Sequence, residues 1–392
     1  MGMIRSNNSM FFATINGLQY NAEHKLPGNQ LMPGDKMIMG MHLEFSGRIT
    51  ISGANGPTAT TADGIFGLIQ QIRVEGFHRK RQKNEVWCNL RGSDLNALVR
   101  MCLGQVQYME PSLGAPLYTQ NMNIGANQVN DFKFSLYLPF APLGIPFRSQ
   151  LGFALDAFNV DQLTLIVKTA DDKSVFSGQT VTQPMTAYGS TTGSAKVDVS
   201  FDYALESETG LRNVSPGMVA RYQSDLFTDT DLQNNGIVTN SKRLYVPPKG
   251  NALTRVLMKT GVKAAQTTGN DAFASYTDTC FSNIRFNLGS QRPIRRYATQ
   301  LSMRNEIARA NGLQPPPGFC MFDFIRSLDS TNNGQLSQAL ALYGMVAGST
   351  ANTDVYLEAD VLGSTGLAAS FIVEELRGVP DWPKPKQQQQ RK

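Results

Sequence analysis

Histidine is scarce in this chain of 392 residues: His24, His42 and His78 are the only three. None stands at metal-ligand spacing from another His, Cys or carboxylate, and neither a G-x-S-x-G elbow nor a phosphate-binding glycine loop occurs. The four cysteines, Cys88, Cys102, Cys280 and Cys320, form no C-x-x-C pair, which speaks against a zinc knuckle or a disulfide framework. Their apolar settings predict buried free thiols and a reducing site of synthesis. No apolar run approaches the roughly 20 residues that cross a bilayer. Residues 1–16 hold one arginine, Arg5, with no continuous apolar stretch behind it, so no signal peptide is expected and the chain should be soluble when made. Charged residues are only 17% of the chain and the net charge of +5 is mild, which disfavours a dedicated duplex-DNA binder. Asp171-Asp172 and Glu374-Glu375 are carboxylate doublets, but adjacent strand residues point to opposite faces, so neither spans a cleft as a glycosidase pair must. The sequence therefore predicts no enzyme, no metal site and no cofactor.

What the chain does contain is glycine, 35 residues of it, and short alternating runs. Phe132, Phe134, Leu136 and Leu138 alternate with polar residues, as do Leu163, Leu165 and Val167, and Val197, Val199, Phe201 and Tyr203. Each run reads as a half-buried strand. Helical spacing is clearest at Leu95, Leu98, Val99 and Cys102 behind a candidate cap, Ser93. Loops at 53–63, 186–193 and 265–270 are long and polar, and are expected to be exposed at sheet ends.

Two stretches look like copies of one unit. Ile72-Arg73 is followed by a basic loop, a short strand at 86–90 and the helix 93–103; Ile284-Arg285 is followed by a loop at 289–292 and a predicted helix over 295–310. Phe132 and Phe134 match Phe319 and Phe322 loosely as a returning strand, which Pro315-Pro316-Pro317-Gly318 feeds in the second copy. The fold class expected is all-β: two consecutive jelly-roll β-sandwiches of about eight strands, each with a short accessory helix. The predicted organisation is an N-terminal arm over 1–33, a first jelly roll over 34–206, a linker over 207–217, a second jelly roll over 218–377 and a tail over 378–392. Trp87, Phe134, Tyr137 and Phe322 are the residues expected to carry packing.

The order of segments resembles the double jelly-roll major capsid proteins of tailless, membrane-containing icosahedral bacteriophages, the tectivirus-like lineage. The likeness lies in Gly67-Leu68-Ile69-Gln70-Gln71-Ile72-Arg73, Val86-Trp87, the helix at Ser93, Ser135-Leu136-Tyr137-Leu138-Pro139-Phe140, and Gln162-Leu163-Thr164-Leu165. In the second half it lies in the helix, Pro317-Gly318-Phe319 and Phe322-Asp323-Phe324, so that roughly residues 30 to 375 follow in order. The resemblance implies a homotrimer whose six jelly rolls form a pseudo-hexameric capsomer, and capsomers that tile an icosahedral shell over an internal membrane. Its implied partners are itself, penton and minor capsid proteins and inner-membrane lipid, with no sequence-specific nucleic acid. Its place would be the virion capsid, after synthesis in the host cytoplasm. A virion spike or lectin-like receptor-binding jelly-roll protein is the alternative reading.

Contact residues to other capsomers or to membrane would come from the arm, Met10, Phe11 and Phe12, and from the tail, where Trp382 could anchor and Lys384, Lys386, Arg391 and Lys392 supply cations. Packing under the shell and a solvated tail are the competing readings. Arg79, Lys80, Arg81 and Lys83 make the densest cationic cluster. It reads either as a solvated or intersubunit ion-pair loop, or as a site for nucleic acid or anionic headgroups, though no aromatic interleaves it for base stacking.

Overall fold

The computed structural model describes residues 8–26, 36–51, 56–79, 82–103, 122–142, 154–177, 183–205, 218–223, 241–245, 252–263, 273–288, 292–311, 315–324, 355–362 and 366–377. The principal strands of the first half are β1 (Asn8–Leu18), β2 (Glu23–Lys25), β3 (Lys36–Thr50), β5 (Ile69–His78), β6 (Lys83–Leu90), β7 (Val129–Pro139), β9 (Val160–Thr169) and β11 (Ala195–Leu205). Short strands β4 (Ala59–Thr60), β8 (Leu155–Asp156) and β10 (Phe176–Ser177) lie between them, and helix α1 (Gly92–Leu103) separates β6 from β7. The second half has β12 (Met218–Gln223), β13 (Ser241–Tyr245), β14 (Ala252–Lys263), β15 (Phe273–Tyr276), β16 (Phe281–Leu288), β17 (Arg292–Thr299), β18 (Phe319–Asp323), β19 (Val355–Val361) and β20 (Leu367–Arg377). Helix α2 (Gln300–Asn311) separates β17 from β18.

The two halves pair their strands in one pattern. In the first, sheets run β1-β11-β3-β7 and β2-β9-β5-β6; in the second, β12-β20-β14-β18 and β13-β19-β16-β17. Numbering the eight principal strands of each half in chain order gives 1-8-3-6 and 2-7-4-5 both times, the double Greek-key order of a jelly roll. Inward residues of both sheets fill one core in the first roll, where Phe45 stacks on Phe134 with ring centroids 5.0 Å apart. A separate cluster fills the second, with Phe322 5.6 Å from both Phe286 and Tyr297.

Several expectations need correction. The segment expected as an arm contains β1 and β2, the first two strands of the roll: Met10 lies opposite Phe201 and Ile15 opposite Val197. Register shifts between Phe11 and Ala13 and between Asn16 and Leu18 break the two-residue period, which hides this strand from a periodicity reading. In the second half, residues 292–299 are a strand and not the start of a helix; Ile284 lies opposite Tyr297 and Arg285 opposite Arg296. Pro293 sits there in a strand at the end of its sheet, beside a register shift, the setting in which a strand accommodates proline. The helix starts at Gln300 because Thr299 and Ser302 cap each other: the Ser302 N–H donates to Thr299 Oγ1 at 3.1 Å and the Thr299 N–H to Ser302 Oγ at 3.2 Å.

Ser93 is not the cap of α1 either. The helix begins at Gly92, the Leu95 N–H donates to the Arg91 carbonyl, and the Ser93 hydroxyl turns to Lys259 of the other half at 3.1 Å. The proline run ends in a turn, with Gly318 at φ +80° and the Phe319 N–H donating to the Pro316 carbonyl, a conformation that favours glycine. Asp323 ends β18 opposite Arg255 and Pro139 ends β7 opposite Gly40, so Phe322 corresponds to Leu138, and Phe319 to Ser135 rather than Phe132. The expected linker over 207–217, the loop over 265–270 and the tail over 378–392 lie outside the described residues.

Candidate functional site

Lys259 explains how the halves are joined. It follows the apolar run Val256-Leu257-Met258 on β14 and is wholly buried, which an ammonium tolerates only with partners. They come from the first half: Asp63 at 2.7 Å, Asp94 of α1 at 2.9 Å and the Ser93 hydroxyl. The Tyr276 hydroxyl donates to the same Asp63 carboxylate. Burial works against both charges, but the partners outweigh it: Asp63 is held below the usual carboxylate range by Lys259, and Lys259 above the usual amine range by Asp63 and Asp94.

A second cluster lies at β12. Arg221 donates through Nε to Glu374 at 2.8 Å, and its other nitrogens donate to the carbonyls of Pro139 and Ala141 in the first half. Glu374 accepts at its other oxygen from Arg255 at 2.6 Å and from the Thr254 hydroxyl at 3.0 Å. Burial would raise the Glu374 pKa, but Arg221 and Arg255 hold it below its ordinary value. Beside this cluster the sheets of the two halves merge, because β12 pairs in parallel with β6, Arg221 opposite Cys88 and Tyr222 opposite Asn89. Apolar contact completes the seam: Leu257, Phe319, Met321 and Ile372 of the second half belong to the same core cluster as Leu95, Ala97 and Met101 of α1. Two buried ion clusters, a strand pair and an apolar patch thus make one rigid body of two rolls.

The residues singled out from sequence are placed elsewhere. Phe12 packs inward on Phe201 with centroids 4.5 Å apart, Met10 packs beside the same core, and Phe11 projects outward, 62% exposed. Arg79 pairs with Asp161 within its own chain and lies over the Phe158 ring, and Lys83 bridges to Glu85 at 3.0 Å. Lys80, Arg81, Trp382, Lys384, Lys386, Arg391 and Lys392 lie outside the described residues. Trp87 and Phe134 are core residues, whereas Tyr137 stands on the outer face of its sheet, stacked on His42 at 4.6 Å. All four cysteines are buried and free, and burial pushes the Cys88 and Cys280 thiols up to about 12. Asp63, expected on an exposed loop, is buried in the seam. The signal for the seam was in the sequence: Arg255 and Lys259 bracket the apolar run Val256-Leu257-Met258, and Glu374 directly follows Phe371-Ile372-Val373.

No family model matches the sequence, and no curated protein is similar to it in sequence. Solved structures are similar over the whole chain. The major capsid protein (MCP) of STIV, Sulfolobus Turreted Icosahedral Virus, superposes with a TM-score of 0.61 at 12% identity, over 95% of this chain and 97% of that one. The major capsid protein P2 of bacteriophage PM2 gives 0.52 at 9% identity, over 94% and 97%. A quasi-atomic model of the PBCV-1 virus capsid gives 0.51 at 11% identity, over 96% of each chain. The chain folds as a double jelly roll, and that fold is shared with major capsid proteins of icosahedral viruses from end to end.

Proposed function

We propose that this chain is a major capsid protein, a homotrimer whose six jelly rolls make a pseudo-hexameric capsomer of an icosahedral virion shell. The observation that carries the reading is the repeat of one strand order in two rolls, fixed to each other by a fully buried seam. Two similar rolls held at a constant angle are what lets three chains present six near-equivalent sides. Flexible tethering would not, because each trimer would then differ in outline. The buried carboxylates Asp63, Asp94 and Glu374 are committed to structural ion pairs, which fits a protein that works by shape. Neighbouring capsomers, penton and minor capsid proteins, and lipid beneath the shell are the partners this reading assigns.

Size measurement coupled to electron microscopy of the purified full chain tests it. A trimer of pseudo-hexagonal outline is expected. A chain that stays monomeric at assembly concentrations and retains glycans on an array would overturn the reading in favour of a receptor-binding module.

A further inference from the structure

The internal repeat makes the seam transferable from one chain to the next. Within the chain, the first roll contributes the edge of β6 and the helix α1, and the second roll contributes the outer face of β12-β20-β14-β18. Each of these parts has a counterpart left open. Among the described residues, strand β17, which corresponds to β6, is a sheet edge, and β1, which corresponds to β12, is also an edge. The helices match in length at 12 residues, yet differ in cover. In α1 the stripe Ser93, Ala97 and Met101 is 7%, 1% and 3% exposed. In α2 the same positions are Leu301, Asn305 and Arg309, all exposed, with Leu301 at 54%.

We infer that β17 and α2 of one copy dock on the outer face of β1-β11-β3-β7 of a second copy, repeating between chains the contact that joins the halves within one. The inference rests on the trimer reading above and supplies its interface. Strand pairing fixes the register. Gly40 lies opposite Asp202 and Ser9 opposite Asp202, as Arg255 lies opposite Glu374 and Arg221 opposite Glu374, so Ser9 and Met10 correspond to Arg221 and Tyr222. On the other side, Arg73 lies opposite Asn89 as Arg285 lies opposite Arg296, so Arg295 and Arg296 correspond to Cys88 and Asn89. Ser9 and Met10 of one chain therefore run parallel beside Arg295 and Arg296 of the next.

The charges agree with this arrangement. Within the chain, Lys259 meets Asp94 in the first turn of α1. Its counterpart on the open face is Glu44, and the first turn of α2 carries no acidic residue to repel that carboxylate. A carboxylate facing the positive end of a helix is favourable. The exposed Phe11 and Leu301 both gain cover. The contact is heterologous, joining unlike surfaces, and such contacts close into rings when the rotation between copies permits.

Cysteine cross-linking of the full chain tests the register, since the four native thiols are buried. Adjacent strands lie about 4.8 Å apart, within reach of a disulfide. Mixed trimers of differently tagged Ser9→Cys and Arg295→Cys chains should give a covalent dimer containing both tags, and neither variant alone should link to itself. Phe11→Asp and Leu301→Asp should each weaken trimer association at least tenfold, with the melting of the isolated chain unchanged. Trimers in which Ser9→Cys links only to itself, or in which the two tags never link and both Asp variants associate normally, would overturn the inference and leave the trimer standing. A wild-type chain that is monomeric throughout would overturn the trimer reading, and the interface with it.

Discussion

The outer faces of the two corresponding sheets, β1-β11-β3-β7 and β12-β20-β14-β18, have the same pairing and opposite chemistry. At counterpart positions the first presents His42, Tyr137 and Ser200, and the second Leu257, Met321 and Ile372. Along β11 burial alternates residue by residue, while β20 is buried from Leu367 to Leu376. A sheet covered on both faces reads as a continuous apolar run, and one covered on a single face alternates. The difference thus records history: the second face is covered as the chain folds and never meets water, while the first must stay soluble in a folded, unassembled chain. Cross-strand pairs keep it so, with Glu44 bridged to Lys133 at 3.0 Å and His42 bonded to Asp202 at 2.8 Å.

Acid should break this comparison most severely, because both ion clusters of the covered face fail together. Asp63 and Glu374 are held below their ordinary pKa values, so the unfolded chain binds protons first as pH falls. The stability they contribute is complete above the unfolded carboxylate values and is lost as pH falls through the folded ones. Lys259 has the opposite sign: its contribution holds below the unfolded amine value and is lost only as pH rises through its raised one. Thermal melting of the full chain should therefore fall steeply on the acid side of the carboxylate range, and a flat profile there would sink the account. At neutral pH, Lys259→Met should cost about 3–5 kcal/mol in a denaturant titration, since it leaves Asp63 and Asp94 buried without their cation. Adding Asp63→Asn and Asp94→Asn should recover part of that loss, a result that mere loss of packing would not give.

The repeat was legible in the sequence where alternation was clean and where Ile-Arg recurred, at Ile72 and Ile284, which do sit at equivalent places on β5 and β16. It was illegible at β1 for a local reason, two register shifts in eleven residues, and at β17 because Arg-Pro-Ile-Arg-Arg has the composition of a helix start. The seam was harder to see. Lys259 and Asp63 are 196 positions apart, and nothing near either residue announces the other. A buried charge can be suspected from an apolar run, as at the doublet Glu374-Glu375 between Val373 and Leu376, but its partner is chosen by how the two rolls meet. For the charge-dense loop, read as a surface ion-pair loop, it was again the partner that stayed hidden: Arg79 pairs within its own chain with Asp161, a residue distant in sequence that antiparallel pairing of β5 with β9 brings alongside.

The smallest expected effect is also the sharpest test of the two faces, because it uses one pair of counterpart positions. Ile372 is fully buried between the halves, and Ser200 holds the same place on the open face. Ile372→Ala removes methyl groups that the seam cannot collapse to replace, and should cost about 2–5 kcal/mol in unfolding of the isolated chain. Ser200→Ala changes a partly solvated position and should stay within about 0.5 kcal/mol. If both substitutions cost the same in the isolated chain, then the open face is already covered by its own molecule, and the distinction between a face sealed in folding and a face reserved for assembly fails. If the Ser200 substitution is silent in unfolding but alters the dissociation of trimers, the polar face is held open for a second chain, and its polarity is a condition of solubility before assembly.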